Sequence, residues 1–264
     1  MKVGIVIPLK AKVVSKSWHV TTDNLKLTLN SINNQSSNLF ECVVVGHDYP
    51  SCIDEFESVN DKIRFFKYET FSPPRVGDDE SKNQLNYEFD RCNKILEGII
   101  FLKKLYPDIT HWFSLDADDL LHRNFVEFMQ AFSDADAIII DYGYVYFKDS
   151  GVINHEDEFS AYCGSSALIS DKLIDVPDSI DETSYKTIPF GSFSHVNMRK
   201  RLQDLGHNVY LPRERVVMYV RNNGENISNA AYSNTLYKKF KKFVKMIVRY
   251  RLVDNETKKS FGLK

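Results

Sequence analysis

The chain has 264 residues, of which 43% are hydrophobic and 27% are charged, and its net charge is −2. This composition is typical of a folded globular protein and excludes an intrinsically disordered chain. The four cysteines are widely spaced and form no C-x-x-C pair, which argues against a zinc site or a disulfide scaffold. No hydrophobic run approaches the ~20 residues that span a bilayer, and the N-terminus has no signal-peptide pattern. We therefore expect a cytoplasmic protein, either free or peripheral on the cytoplasmic face of the inner membrane.

The first half of the chain alternates short hydrophobic runs with helical patterns. The runs predict strands at residues 3–7, 40–45, 63–66, 111–115 and 137–140, and the periodicity predicts helices over 25–32, 53–59, 87–105 and 123–132. Thr22 or Asp23 is the expected cap of the first helix. Residues 70–86 are rich in Ser, Pro, Asp and Asn, which is typical of a loop. This order predicts an α/β fold, doubly wound and Rossmann-like, with a mostly parallel sheet and helices on both faces.

The second half of the chain is less regular. Alternating residues over 142–153 predict strands, and a Gly-Ser turn within 161–169 leads into another strand. Residues 195–205 have a helical pattern, and Gly206 supplies the residue that ends such a helix. Two further short strands are predicted at 209–211 and 216–220.

Three carboxylates lie within four residues at Asp116, Asp118 and Asp119, directly after an aromatic run that is typical of a buried strand. Ligands of open α/β sheets bind beyond the carboxyl ends of the strands, and Asp48 follows another predicted strand. Clustered carboxylates are costly to bury unless a partner neutralises them, and hard divalent cations prefer oxygen ligands. The alternative is an acidic turn in which Asp119 or Asn124 caps the next helix.

Several sequence pieces carry a family resemblance. They are IVIP at 5–8, LNSINNQ at 29–35, ECVVV at 41–45 followed by Asp48, SLDADD at 114–119, and LGHNVYLP at 205–212 running on to Tyr219 and Arg221. In this order they resemble the GT-A fold glycosyltransferases, especially the family-2-like enzymes of bacterial surface-polysaccharide pathways. The resemblance covers roughly residues 1–230. It implies a nucleotide-binding half (1–120), an acceptor half (121–230) and a separate tail (231–264).

The resemblance implies transfer of a sugar from a nucleotide-diphosphate sugar to a glycan or lipid-linked acceptor, with inversion expected. It also implies Mn²⁺ or Mg²⁺, because a metal can neutralise the charge that builds on the leaving phosphate. Carried over by position, Asp118 is the leading metal ligand, Asp116 a ribose or outer metal contact, and Asp119 an alternative metal ligand or a residue that supports the ligands. The remaining implied contacts are Pro8 and Asp48 to the nucleotide base, Arg91, Lys94 and Arg221 to the diphosphate, and Gly164 and Ser165 to the donor sugar or acceptor. Ordinary turn residues and solvated helix charges are the alternatives for Asp48, Gly164, Arg91 and Lys94.

The sequence departs from the family at the general base. Inverting members carry Glu-Asp at the start of the helix before the Gly206 turn, whereas Ser194 and His195 occupy those places here. Imidazole can perform the same proton transfer, so His195 is the first candidate. The carboxylates at 156–158 and at 181–182 stay open as alternatives. The family's late metal-binding histidine is also absent from residues 221–226.

The tail is strongly basic. Residues 233–264 contain ten Lys/Arg and two Asp/Glu, although the whole chain is slightly acidic. Apolar residues recur at helical spacing, and lysines fill most positions between them, which predicts a basic amphipathic helix over 236–251. Such a helix favours an anionic membrane surface, and a helix docked on the domain is the alternative. No nucleic-acid recognition motif accompanies the charge, so nucleic acid is not an expected partner.

Three other functions share features with this sequence. Without the acidic pair, the chain could be a catalytically degenerate domain that acts as a binding or scaffold module. A sugar-nucleotide pyrophosphorylase shares related architecture but needs a glycine-rich basic loop after the first strand, and residues 10–17 contain no glycine. A phosphatase of the haloacid-dehalogenase type places its D-x-D motif after the first strand, far earlier than Asp116.

Overall fold

The computed structural model describes residues 1–224 and 250–263. Its strands are β1 (Val3–Pro8), β2 (Phe40–Gly46), β3 (Ile63–Lys67), β4 (His111–Ser114), β5 (Leu120–Leu121), β6 (Ala137–Ile139), β7 (Gly143–Phe147), β8 (Val152–Glu156), β9 (Ala167–Ser170), β10 (Val209–Tyr210), β11 (Val217–Arg221) and β12 (Tyr250–Leu252). Its α-helices are α1 (Trp18–Asn33), α2 (Ile53–Glu57), α3 (Glu80–Leu105), α4 (Phe125–Met129), α5 (Pro189–Ser192), α6 (His195–Asp204) and α7 (Asn255–Ser260). Short 3-10 helices occur at Lys12–Val14, Gln130–Phe132, Phe159–Ala161, Asp171–Leu173 and Ser184–Thr187.

The larger sheet has the strand order β10-β6-β9-β4-β1-β2-β3. All neighbouring pairs in it are parallel except the two that involve β9. The order reverses at β1, because β2 and β3 lie on one side of it and β4 lies on the other. Such a reversal opens a crevice beyond the carboxyl ends of the central strands. The predicted fold class, α/β with a mostly parallel sheet, is confirmed.

Helices cover both faces of this sheet. Val3, Ile5 and Ile7 of β1 share one apolar core with the inward face of α1, whereas Val6 shares the other core with α3. Side chains of a strand alternate between faces, so a strand that is covered on both sides must be hydrophobic throughout. This is why β1, β2 and β4 are recognisable as continuous hydrophobic runs in the sequence.

Two helices begin earlier than the hydrophobic pattern predicts. The side chain of Ser17 accepts a hydrogen bond from the Val20 backbone N–H and caps α1, and Asp79 accepts from the N–H groups of Ser81 and Lys82 and caps α3. The first turns of α3 are largely exposed and carry few apolar residues. Helical periodicity in the sequence begins only where a helix meets the core, so the caps and not the pattern set the true starts.

A smaller sheet has the order β12-β8-β7-β11-β5. β12 pairs antiparallel with β8, and Val253 and Phe261 are buried against this sheet. Residues 250–263 therefore pack as part of the domain, which differs from the separate tail expected from residue 231. Most of the predicted amphipathic helix, residues 236–249, lies outside the described residues, and its last two residues, 250 and 251, are in strand β12. Within the described parts of the chain, no helix is long and apolar enough to cross a membrane.

Gly98 allows α3 to lie close to the sheet. A Cβ atom at this position would lie 2.4 Å from Val6 Cγ1 and 2.9 Å from Val45 Cγ2. Both valines are buried in adjacent strands, so neither can move without disturbing the core.

We expect Gly98→Ala to lower the free energy of unfolding by about 1–2 kcal/mol, because overpacking outweighs the helix propensity that alanine adds. Urea denaturation of the purified chain measures this change. Gly77→Ala is the matched control, since a Cβ there meets nothing within 4 Å. Equal stability of the two variants would contradict the close packing of α3.

Candidate active site

The candidate site lies beyond the carboxyl ends of β1, β2 and β4, which are adjacent in the sheet. The hydrogen bonding between strands extends one residue beyond β1 and β4. The Leu9 N–H donates to the Val45 carbonyl at 2.8 Å, and the Leu115 N–H donates to the Val6 carbonyl at 2.9 Å. Asp48 and Asp116–Asp119 therefore meet at one edge of the sheet, as the strand order predicted.

Asp119 is a structural residue of this edge. Its side chain is fully buried, and its Oδ1 accepts a hydrogen bond from the Val220 N–H at 3.1 Å. Its Oδ2 accepts from Ser165 Oγ at 2.7 Å and from Cys163 Sγ at 3.2 Å. These bonds tie the turn after β4 to β11 and to the loop before β9. The structure thus differs from the prediction that Asp119 is a metal ligand, because both of its carboxylate oxygens are shielded and already hydrogen-bonded.

Ser165 belongs to the same internal network. It is fully buried, and its Oγ accepts a hydrogen bond from the Asp116 N–H at 2.9 Å while donating to Asp119. Burial and these two bonds leave its hydroxyl facing the protein, not a sugar. Ser165 therefore shapes the turn, which differs from the predicted contact with donor or acceptor.

Asp116 forms an ion pair with Arg91 of α3. Arg91 Nε donates to Asp116 Oδ1 at 3.1 Å, and both side chains are about 30% exposed, at 28% and 32%. Gly164 passes directly over the pair: a Cβ there would lie 3.0 Å from a terminal nitrogen of Arg91 and 3.0 Å from Asp116 Oδ2. The structure thus brings three of the predicted site residues into contact, and it explains why a side chain at position 164 would disturb them.

Asp118 is held by the turn that follows β11. Asn223 Nδ2 donates to Asp118 Oδ2 at 2.6 Å, and Asn223 is only 5% exposed. The turn uses positive φ at Asn222 (57°) and at Gly224 (92°), conformations that Asn and Gly tolerate. This turn brings the Asn223 amide to Asp118, and it lies in the stretch where the glycosyltransferases that the sequence resembles carry a histidine.

The negative charge of Asp118 is not fully compensated by nearby positive charge or hydrogen bonds. Burial, followed by the charge of Asp116, raises its pKa from 3.8 to about 6. The Asn223 hydrogen bond and the charge of Lys10 act in the opposite direction on the pKa of Asp118. Burial, together with the Asp118 and Asp116 charges, also raises the pKa of Asp119 well above 3.8. Such pKa values indicate excess negative charge that a cation would stabilise.

The donor set fits a divalent metal that also uses ligands from a substrate. Within residues 1–224 and 250–263, no three His, Cys, Asp or Glu residues are grouped so that they could hold a metal by themselves. Mg²⁺ sites, however, commonly use one or two carboxylates together with phosphate oxygens and waters. Asp118 and Asp116 supply that pair, whereas the shielded Asp119 does not.

Lys94 lies inside the protein and does not face the site. It is 0% exposed, and its Nζ donates to the Leu9 carbonyl at 2.8 Å and to Asp90 Oδ2 at 2.6 Å. Asp90 Oδ1 in turn bonds His47 Nε2 at 2.8 Å. This chain of contacts joins α3 to the ends of β1 and β2. The structure therefore differs from the predicted diphosphate contact, because Lys94 is on the sheet-facing side of α3, whereas Arg91 is not.

Asp48 and Pro8 keep the positions expected of base contacts. Pro8 is the last residue of β1, and Asp48 follows the end of β2 and is half-buried. Asp48 Oδ2 accepts a hydrogen bond from the Lys12 N–H at 2.7 Å, which anchors the 3-10 helix Lys12–Val14. One oxygen of Asp48 therefore has a structural use, and its contact with a base stays a prediction.

His195 lies at the start of α6, facing the Arg91–Asp116 pair. Burial and the nearby Arg91 charge lower its pKa, while Asp116, Glu88 and a hydrogen bond to the Ala161 backbone raise it. The net effect is a lowered pKa, so the ring is neutral at pH 7 and one of its nitrogens can accept a proton.

The other predicted positions are outside this cluster or have structural partners. Arg221 ends β11, with its guanidinium 5.9 Å from the Tyr219 ring centroid. Among the alternative bases, Asp157 forms an ion pair with Arg215, and Asp181 accepts hydrogen bonds from Thr183 and Ser184.

Three residues near the site were missed by sequence reasoning: Lys10, Glu88 and Asn223. Lys10 is on the connection after β1, and its charge reaches Asp118. Glu88 is exposed on α3, within a turn of Arg91, and its charge reaches His195. The Asn-Asn-Gly sequence at 222–224 was the one visible signal, since it is typical of a turn with positive φ.

Comparisons with known proteins give distant structural similarities only. No protein-family model and no curated protein matches the chain. A 4-diphosphocytidyl-2C-methyl-D-erythritol synthase from Anaerococcus prevotii DSM 20548 is 14% identical, with a TM-score of 0.41 over 87% of this chain and 92% of that one. HddC from Yersinia pseudotuberculosis is 12% identical (TM-score 0.43; 92% and 100%), and an inositol-1-phosphate CTP transferase from T. maritima is 13% identical (TM-score 0.43; 92% and 96%). Similarities at this level carry no argument about the reaction, and none of the three names describes a glycosyltransferase.

We expect Asp118→Asn to raise the free energy of unfolding at pH 7 by as much as about 3 kcal/mol, because the folded-state pKa near 6 exceeds the unfolded value of 3.8. The wild-type carboxylate destabilises the fold fully above pH 6, and this cost disappears as pH falls through 4. Urea denaturation at pH 7 and at pH 4 measures both limits. A gain in stability that is the same at the two pH values would contradict the assigned pKa.

Lys94→Met and Arg91→Met separate structural from functional charge on α3. We expect Lys94→Met to destabilise the fold by about 3 kcal/mol, since it removes one partner of a buried ion pair. Arg91→Met removes a partly exposed pair and should cost about 1 kcal/mol or less. Thermal and urea unfolding of both variants measure the difference. Equal stabilities would show that Lys94 is not a buried structural cation.

Proposed function

We propose that this chain is a metal-dependent glycosyltransferase that moves a sugar from a nucleotide-diphosphate sugar to a glycan or lipid-linked acceptor in surface-polysaccharide synthesis. The observation that carries the proposal is the cluster at the carboxyl edge of the sheet. There, two partly exposed carboxylates, Asp116 and Asp118, lie with Arg91 beside a neutral His195. This combination can bind a charged diphosphate and remove a proton in one place.

The cations of the cluster suit the leaving group. Negative charge builds on the diphosphate as the glycosidic bond to it breaks, and groups held in place before the reaction stabilise that charge most effectively. Asp116 holds Arg91 in place. Lys94 binds the Leu9 carbonyl, and this contact fixes the backbone next to Lys10. A divalent metal held by Asp118 and Asp116, when bound, would supply Lewis-acid stabilisation of the same phosphate oxygens.

His195 is the proposed general base. Its ring is neutral at pH 7, so one of its nitrogens can accept the proton of the acceptor hydroxyl. The hydroxyl oxygen then forms the new bond to the anomeric carbon while the nucleoside diphosphate departs. The charge of Glu88 raises the pKa of this histidine and so strengthens it as a base.

Nucleotidyl transfer is the alternative reaction, and a binding module without turnover is the alternative without chemistry. A nucleotidyltransferase of the pyrophosphorylase type needs an open glycine-rich loop to surround a triphosphate. Here the connection after β1 is a 3-10 helix, Lys12–Val14, that Asp48 ties down. This observation favours a diphosphate donor. The acceptor and the anionic membrane surface stay proposals of the same kind.

The test is a panel of nucleotide sugars incubated with the full chain and Mn²⁺ or Mg²⁺. We expect one member to release nucleoside diphosphate slowly into water and rapidly with an acceptor, because the site activates the same bond in both cases. Asp118→Asn should reduce this rate at least a hundredfold, in line with loss of one electrostatic contact to the transition state. Asp61→Asn, at an exposed position between α2 and β3, is the control and should leave the rate unchanged.

The products distinguish the alternatives. Release of pyrophosphate from a nucleoside triphosphate and a sugar phosphate would replace the proposal with nucleotidyl transfer. Calorimetry with the same nucleotides tests whether the chain is a binding module without turnover. If none of them binds in the presence of metal, the enzyme proposal is wrong. A His195→Gln variant with full transfer would exclude that residue as the base.

A further inference from the structure

An ion pair outside the carboxylate cluster ties α6, the helix that begins at His195, to the sheet. Arg199 Nη1 donates to Asp141 Oδ2 at 2.7 Å. Asp141 lies on the short connection between β6 and β7, and its side chain is 14% exposed, whereas that of Arg199 is 44% exposed. The pair therefore joins the surface of α6 to a largely buried carboxylate.

Asp141 also holds the segment that α6 packs against. Its Oδ1 accepts a hydrogen bond from Ser160 Oγ, and its backbone carbonyl accepts from the Phe159 N–H at 3.0 Å. Both donors belong to the 3-10 helix Phe159–Ala161, which is in contact with α6. The Phe159 side chain is fully buried, so this 3-10 helix is also fixed from within the core. One carboxylate thus connects the end of β6 to both elements.

The spacing of the residues places this ion pair next to His195. His195 and Arg199 are four residues apart on α6, so they lie on one face of the helix, one turn from each other. Arg199 and Ser160 both bind Asp141. His195 lies close enough to the backbone of the next residue, Ala161, for that contact to raise its pKa. The ion pair and His195 therefore lie side by side on the same interface.

Other contacts fix the first turn of α6 only weakly. Met198 and Leu202, which pack in the core, follow His195 by about one turn and two turns. Ser194 precedes the helix, but its side chain caps no N–H group among the described residues, and the first turn has no acidic residue. Caps and acidic residues commonly stabilise a helix start. In their place, the pair formed by Arg199 connects this end of α6 to the sheet.

We infer that Asp141 and Arg199 are positioning residues, which hold the start of α6 so that His195 faces the carboxylate cluster. Their effect on turnover rests on the proposed function, because the position of His195 controls the rate only if this residue is the base. Neither side chain belongs to the cluster that would bind the diphosphate. The pair should therefore affect the rate of transfer and not the binding of the donor.

The experiment compares Arg199→Met with Arg201→Met in the full chain. Arg201 is the matched control, because it is an exposed arginine of α6 that pairs with no carboxylate among the described residues. We expect Arg199→Met to lower kcat about tenfold or more and to change KM for the nucleotide sugar by less than about twofold, since a misplaced base loses part of its contribution. Arg201→Met should leave both constants unchanged.

Two further variants separate position from general damage to the fold. Arg199→Lys keeps a cation that can reach Asp141, so it should retain most of the wild-type kcat. Asp141→Asn keeps an acceptor for Ser160 but removes the charge that binds Arg199, so it should resemble Arg199→Met. A higher KM with unchanged kcat in Arg199→Met would overturn the inference.

NMR of the His195 ring tests its position without any turnover. The Cε1–H signal of this ring, assigned by its absence in His195→Gln, is recorded at pH 8, where the lowered pKa keeps the ring neutral. We expect the signal to shift in Arg199→Met and Asp141→Asn and to keep its wild-type position in Arg201→Met. An unchanged signal in Arg199→Met and Asp141→Asn, or an equal shift in Arg201→Met, overturns the inference. If the signal shifts as expected but the wild type transfers no sugar, the proposed function is wrong and the positioning of His195 stands.

Discussion

Compensation of three carboxylates within four residues, one fully buried and two partly buried, is the constraint on which the architecture of this edge depends. A buried strand leads directly into Asp116, Asp118 and Asp119, so each must have a stabilising partner nearby. The structure provides three different ones: a guanidinium for Asp116, an amide for Asp118, and a backbone N–H with a hydroxyl and a thiol for Asp119. These partners come from α3, from the turn after β11 and from the loop before β9. The demand for compensation therefore draws distant segments together around one turn.

A second buried charge fixes the opposite wall of the site. Lys94 is surrounded by protein, and its bonds to Asp90 and to the Leu9 carbonyl compensate its burial, while Asp90 also bonds His47. A buried ion pair contributes little net stability, but it specifies geometry, because any displacement leaves a charge without its partner. Here it specifies the distance between the ends of β1 and β2. The connection that carries Lys10 is thereby positioned relative to Asp48, which is what a rigid ligand site requires.

The sheet and its acidic edge were predictable, whereas the roles of individual charges were not. Strands covered on both faces must be hydrophobic throughout, so β1, β2 and β4 are visible in the sequence, and the first polar residues after them mark the edge. Residue type shows that Lys94 and Asp119 can carry charge, but not that they turn inward. Lys94 and Arg91 lie only about 60° apart around the axis of α3, yet one faces the sheet and the other does not. Asp90 is four residues before Lys94, a spacing that permits an ion pair on any helix, exposed or buried. Asn223 is about one hundred residues from Asp118, and only the sheet topology brings them together.

The charge balance of the cluster determines which charge a ligand must carry. Asp119 is shielded, and burial keeps its pKa high, so Asp116 and Asp118 are the carboxylates that face a ligand. Arg91 and Lys10 compensate these two charges only in part, since the pKa of Asp118 stays raised. A diphosphate entering such a site would add negative charge that the protein alone leaves without compensation. A diphosphate that arrives together with a divalent cation adds almost none, because the cation neutralises the phosphates and gains oxygen ligands from Asp118 and Asp116. We therefore propose that the site takes up a diphosphate together with a divalent metal and not by itself, and this proposal rests on the residues that surround the site and not on any similarity to another protein.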